Sequence, residues 1–132
     1  MPAEDRLAIL DVITRADEAA SQRDADAYVA LFTADAVLDG AQGDYSGQEA
    51  LRAAVGPIWA AEGQATLHLT LNPVVEPGAS DGGAVARSVL LIIDPAVPPA
   101  IRAAAVITHE LRRDDSSWRI ARRTVAPATG QR

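Results

Sequence analysis

The sequence contains no cysteine. Disulfide staples and thiolate chemistry are therefore excluded, and redox usage gives no hint of compartment. Aromatic residues are scarce: two Trp, two Tyr and one Phe among 132 residues. With 48% hydrophobic residues, alanine and the aliphatic side chains must build the core. Basic charge is in deficit, 12 residues against 18 acidic ones, for a net charge of −6 and a pI near 4.7. A surface that neutralises backbone phosphates needs the opposite balance, so no nucleic-acid partner is expected. No run of about 18 apolar residues occurs, so no membrane span is expected. The opening MPAEDRLAIL carries acidic residues where a signal peptide would be basic. A cytoplasmic protein with no membrane partner is the expectation. There is no internal repeat and no separating linker. Residues 1–132 read as one domain, long enough to bury roughly two thirds of its unfolded surface.

What is present divides into a helical first half and a strand-rich second half. Over residues 4–22, Leu7, Leu10, Ile13, Ala16 and Ala20 fall on one helical stripe, with charges elsewhere. Arg23 to Asp26 interrupts the stripe, and Asp24 suits the cap of a short second helix carrying Tyr28, Leu31 and Phe32. DAVLDG (35–40) reads as a short strand and GAQGDYSG (40–47) as a turn. A third helix, opened by Ser46 or Gly47 with Glu49 near its start, carries Leu51, Val55, Ile58 and Trp59. Pro57 inside it predicts a break or kink near Gly56. Four strands are predicted over 65–76, 84–94, 101–112 and 117–126, separated by EPGASDGG, DPAVPP and DDSS. Short breaks imply antiparallel hairpins. Helices followed by an antiparallel sheet make an α+β fold.

The stretch ATLHLTLN (65–72) alternates Leu67, Leu69 and Leu71 with Thr66, His68, Thr70 and Asn72. That is a strand with one apolar and one polar face. In 84–94, by contrast, Val85, Val89, Leu91 and Ile93 oppose Ala84, Ala86, Leu90 and Ile92, and 101–112 is also apolar on both sides. Such a sheet needs two covers. The helices can supply one. A second copy of the chain can supply the other, so a homodimer is expected.

The phrases RDADAYVALFTADAVLDG (23–40), YSGQEAL (45–51), HLTLN (68–72) and HELRRDDSSWRIARRTV (109–125) come in a telling order. Together they resemble the nuclear transport factor 2-like superfamily and, within it, the SnoaL-like polyketide cyclases. The resemblance implies a cystatin-like roll, a cone whose curved antiparallel sheet wraps around N-terminal helices and a pocket. It also implies a hydrophobic small-molecule partner. Members include ketosteroid isomerase, scytalone dehydratase and polyketide cyclases, and fold alone does not carry their chemistry across. Where the isomerase has its helix tyrosine, this chain has Ala16. The isomerase base falls at Gly40, one residue after Asp39, and its oxyanion-hole aspartate falls at Thr108 or His109. The dehydratase Tyr and Asp are replaced by Ala20 and Ser21, whereas its strand histidine matches His68.

His68 is the leading candidate for moving a proton, because imidazole does so near neutral pH. The alternatives are a polar cavity wall or a histidine bonded within the sheet. Asp39 would assist as orienter or base, unless it only serves an Asp-Gly turn. Arg122 has even spacing with Trp118 and Ile120 and is expected to point toward the cavity, where it would hold an enolate oxygen. A salt bridge is its alternative role. Tyr28, Trp59, Thr70, Asn72, Arg87 and His109 are candidate ligand contacts, and Tyr28 and Trp59 also read as core. There is no helical His pair, acidic triplet, dinucleotide loop or Ser/Cys nucleophile motif, so neither metal nor cofactor is expected. Two functions stay open. One is a cofactor-independent cyclase, isomerase or dehydratase acting on a hydrophobic carbonyl compound. The other is a ligand-binding or dimerising module without turnover.

Overall fold

The computed structural model describes residues 1–40 and 43–128. Helix α1 (Ala3–Ser21) buries Ile9, Ile13, Ala16, Ala19 and Ala20. Leu7, expected on that stripe, is instead 67% exposed. Asp24 caps α2 (Ala25–Val29) as expected, accepting from the Ala27 N–H at 3.0 Å. This helix is shorter than the apolar pattern suggested. The Leu31 carbonyl already accepts from the Ile120 N–H at 2.9 Å, so the chain has joined the sheet and Phe32 opens β1 (Phe32–Gly40). β2 (Gly43–Ser46) pairs with β1 where a turn was expected, and residues 41–42 of that stretch lie outside the described residues.

Helix α3 (Gln48–Glu62) runs through Pro57 without the expected break. Gly56 has no Cβ to meet the proline ring, which relieves the usual restriction on the preceding residue. Ala53, whose carbonyl loses its helical donor, and Pro57 are both exposed, so water can take the place of the missing bond. No helix among the described residues is long and apolar enough to cross a membrane.

Strands β3 (Leu67–Pro77), β4 (Gly83–Asp94), β5 (Ala100–Asp114) and β6 (Ser117–Pro127) complete a six-stranded sheet in the order β2-β1-β6-β5-β4-β3. The pairs are antiparallel except β1–β6, which is parallel. The sheet is curved and unclosed, and the helices cover one face.

Two bulges re-aim side chains on that covered face. Glu110 of β5 stands opposite Arg122, but Leu111 stands opposite Ile120, so Ala121 is an extra residue on β6. Trp118 and Ile120 face the helices before the bulge, and Arg123 is the buried residue after it. On β3, Leu71 faces Val89 and Val74 faces Arg87, leaving Asn72 and Pro73 against Ser88. Asn72 takes φ of 55° there, a left-handed conformation that asparagine tolerates.

β3 is a sheet edge, and α1 closes it. The Thr70 N–H donates to Asp17 Oδ2 at 2.8 Å and the His68 N–H to Ser21 Oγ at 2.9 Å. Four helical residues rise about 6 Å and two strand residues about 6.8 Å, so an i, i+4 pair on α1 matches an i, i+2 pair on β3. Arg6 extends the match, donating to the Val75 carbonyl at 3.1 Å. Edge donors that would template another strand are thereby consumed.

Candidate functional site

A cavity of about 330 Å³ lies between α3, β1 and the covered face of β4–β6. Its walls are apolar, with Leu38, Val55, Ile58, Trp59, Leu90 and Ile92 prominent. Ala103 and Ala105 of β5 face into it and leave space that larger side chains would fill. Among the described residues, Glu62, His68 and Arg123 are its chargeable lining groups, beside Tyr28 and Tyr45. The size and the few convergent polar groups suit a small ring compound.

His68 Nε2 lies 2.7 Å from Glu62 Oε1, and both side chains are largely buried. A carboxylate at this distance accepts from Nε2–H, so that in the neutral ring it is Nδ1 that carries the lone pair. Glu62 is itself held. Thr66 Oγ1 donates to Glu62 Oε1 at 3.3 Å and accepts from Arg23 Nη2 at 2.6 Å. Arg23 sits in the left-handed region at φ 59°, just past α1. From there it donates to the carbonyls of Ala20 and Gly63, each at 2.8 Å. The guanidinium thus ties the end of α1 to the α3–β3 connection that carries Glu62 and His68.

Asp17 supports the same strand, with Oδ1 accepting from Thr70 Oγ1 at 3.0 Å. Burial pushes its carboxyl above the usual carboxylate range, partly offset by the Thr70 bonds and the Arg123 charge. Burial likewise raises the Tyr28 phenol.

A second polar pair stands on β5 and β6. Arg123 Nη1 lies 2.8 Å from Nε2 of His109, which is completely buried. Burial, reinforced by the Arg123 charge, holds the imidazole pKa well below its ordinary 6.5. Neutral His109 therefore accepts from Arg123 at Nε2 and carries its proton on Nδ1, which is buried without a partner. The folded value lies below the unfolded one, so His109 contributes stability above pH 6.5 that is lost as pH falls beneath it. The loss is at most about 1.4 kcal/mol per pH unit. In urea denaturation, the stability gap between wild type and His109→Gln should shrink on going from neutral pH to about pH 5.5. A constant gap would contradict a neutral buried imidazole.

The structure redistributes the residues singled out from sequence. His68, Tyr28 and Trp59 line the cavity. Thr70 is occupied by Asp17 rather than by the cavity, and His109 stands behind Arg123. Asn72 is exposed at the β3 bulge. Arg87 is half exposed and pairs with Glu76 at 3.0 Å, on the outer side of β4. Asp39 and Arg122 correct the sequence expectation most directly. They pair with each other on the outer face, with Glu110 at 3.6 Å from Arg122, and neither lines the cavity. The Ala121 bulge is the cause: it flips Arg122 outward and brings Arg123 in. Sequence reasoning missed Glu62, Asp17 and Arg123. Spacing of six residues between Glu62 and His68 across a Gly-containing break was the available signal for the first.

Comparison with known proteins agrees with this architecture. The sequence profile of the SnoaL-like domain matches residues 1–124. A cystatin-like protein of unknown function from Nostoc punctiforme has a TM-score of 0.89 at 20% identity, covering 98% of this chain and 96% of that one. A protein provisionally named scytalone dehydratase from Novosphingobium aromaticivorans has a TM-score of 0.79 at 19% identity, covering 95% and 85%. LinA has a TM-score of 0.78 at 20% identity, covering 96% and 91%. At these identities the likeness shows the fold. Among curated proteins no sequence matches.

Proposed function

This chain belongs to the SnoaL-like domain family, and from that premise we propose that its cavity performs acid–base proton transfer on a hydrophobic carbonyl compound. The observation that supports the reading is the His68–Glu62 pair, 2.7 Å apart at the wall of an apolar cavity. Nδ1 of His68 takes a proton from the carbon beside the carbonyl. The electron pair moves to the carbonyl oxygen as an enolate, and Glu62 balances the imidazolium that forms. Returning the proton to another carbon completes an isomerisation. Expelling a β-hydroxyl, protonated by the same imidazolium, completes a dehydration. Attack of the enolate carbon on a second carbonyl, whose oxygen takes the proton back from the imidazolium, completes a cyclisation. Trp59 offers a flat wall to a fused-ring, polyketide-like substrate.

The test is hydrogen exchange of β-tetralone in deuterated water, followed by NMR. Wild-type protein is expected to accelerate loss of the α-proton signals above the buffer rate. Ala20 and Ser21, standing where the dehydratase has Tyr and Asp, favour the second reading of a binding module. A ketone that raises the melting temperature without exchanging would select it.

The outer sheet face supports a homodimer. Three rungs of apolar residues cross it: Leu67–Ile93–Ile101, Leu69–Leu91–Ala104 and Leu71–Val89–Val106. Leu67, Ile101 and Val106 are 43%, 64% and 42% exposed, an apolar band continuous over three strands. A second copy offers the same band to it, as a two-fold interface requires. Sedimentation should show a dimer at micromolar concentration, and Leu71→Asp with Val106→Asp should give a folded monomer. A monomeric wild type would contradict the assignment.

A further inference from the structure

We infer that Arg123 makes this cavity a receptor for a carboxylate, so that its ligand is an apolar ring compound carrying one. The inference rests on the cavity being the ligand site and not on proton transfer within it.

Arg123 is 5% exposed and lines the cavity. Among the described residues no carboxylate stands within ion-pair distance of it: Asp17, near enough to feel its charge, and Glu62 are both engaged with other partners. Asp17 accepts twice from Thr70, and Glu62 accepts from His68 and Thr66. A guanidinium has five N–H donors, and neutral His109 accepts one of them. A buried guanidinium is costly when no carboxylate contacts it and most of its donors are left over, so an arginine kept this way points to an anion supplied from outside the chain. Its planar fork fits the two oxygens of a carboxylate better than a single carbonyl. His109 fixes the fork from behind, at the expense of its own buried Nδ1–H, which has no partner. Trp59, Leu90 and Ile92 then offer apolar surface to the rest of the ligand.

Isothermal titration of naphthoate and its neutral isostere naphthamide, near neutral pH, tests this. Wild type should prefer naphthoate by about tenfold or more. Arg123→Gln should erase the preference while keeping the affinity for the amide. His109→Leu should weaken the preference, and His109→Gln, whose amide oxygen can accept from Arg123, should restore it. Equal affinities in wild type, or a preference that survives Arg123→Gln, overturn the inference and leave the cavity as a ligand site. Binding of neither compound overturns both. If Arg123→Gln fails to fold, the wild-type comparison decides.

Discussion

Replacing His68 with alanine is expected to slow exchange of cavity-bound β-tetralone by about 10²–10⁴-fold, the usual contribution of a positioned acid–base group. Imidazole Nδ1 is the lone pair assigned to this task. Arg123 has no basic lone pair, and Glu62 is turned to His68 Nε2 and Thr66. The main-chain bond from residue 68 to Ser21 Oγ does not need the ring, so the edge of β3 should stay docked on α1. Affinity for the ketone should therefore change far less than the exchange rate. Exchange that persists at the wild-type rate in His68→Ala would remove the imidazole from the chemistry.

Phe32→Ala should cost about 3–5 kcal/mol of stability, at the top of the range for a core truncation. Phe32 is fully buried, and its ring lies 5.0 Å from that of Tyr28, centroid to centroid. Tyr28 in turn meets Trp59 edge-on at 5.3 Å. The three rings join α2, β1 and α3, so the gap opens behind the cavity wall itself. Other core residues nearby, such as Ile120 and Leu51, lie on separate elements and can close it only in part. Against a total stability typical of small domains, about 5–15 kcal/mol, the loss lowers the melting temperature by about 10–20 °C. Urea titration should show a lower midpoint at unchanged slope. A loss under about 1 kcal/mol would mean the ring is not enclosed as described.

Much of the fold was legible because periodicity reports burial. The β3 alternation put His68 and Thr70 together on its polar face, which proves to be the one under the helices, and the apolar residues on both sides of β4 and β5 are those of the covered face and of an exposed outer band. Asp24 declared its cap by type and place. The bulges were not legible. One extra residue at Ala121 leaves composition and turn signals untouched, yet it inverts the facing of everything after it. Arg122 and Arg123 are adjacent and chemically identical, so only register could tell them apart. The Glu62–His68 pair was hidden for another reason. It joins a helix end to a strand start, and the angle between them is set by Gly63 at φ 121° and by the Arg23 clamp, neither of which has a period. Pro57 misled because its local penalty falls on an exposed turn of α3.

A double-mutant cycle on the β-tetralone exchange rate tests most directly whether imidazole and carboxylate act as one unit. It compares Glu62→Gln, His68→Ala and the double variant with wild type. If Glu62 works by orienting His68, the double variant should be no slower than His68→Ala alone, since the carboxylate has nothing left to orient. Losses that multiply would contradict the account and make Glu62 an independent actor.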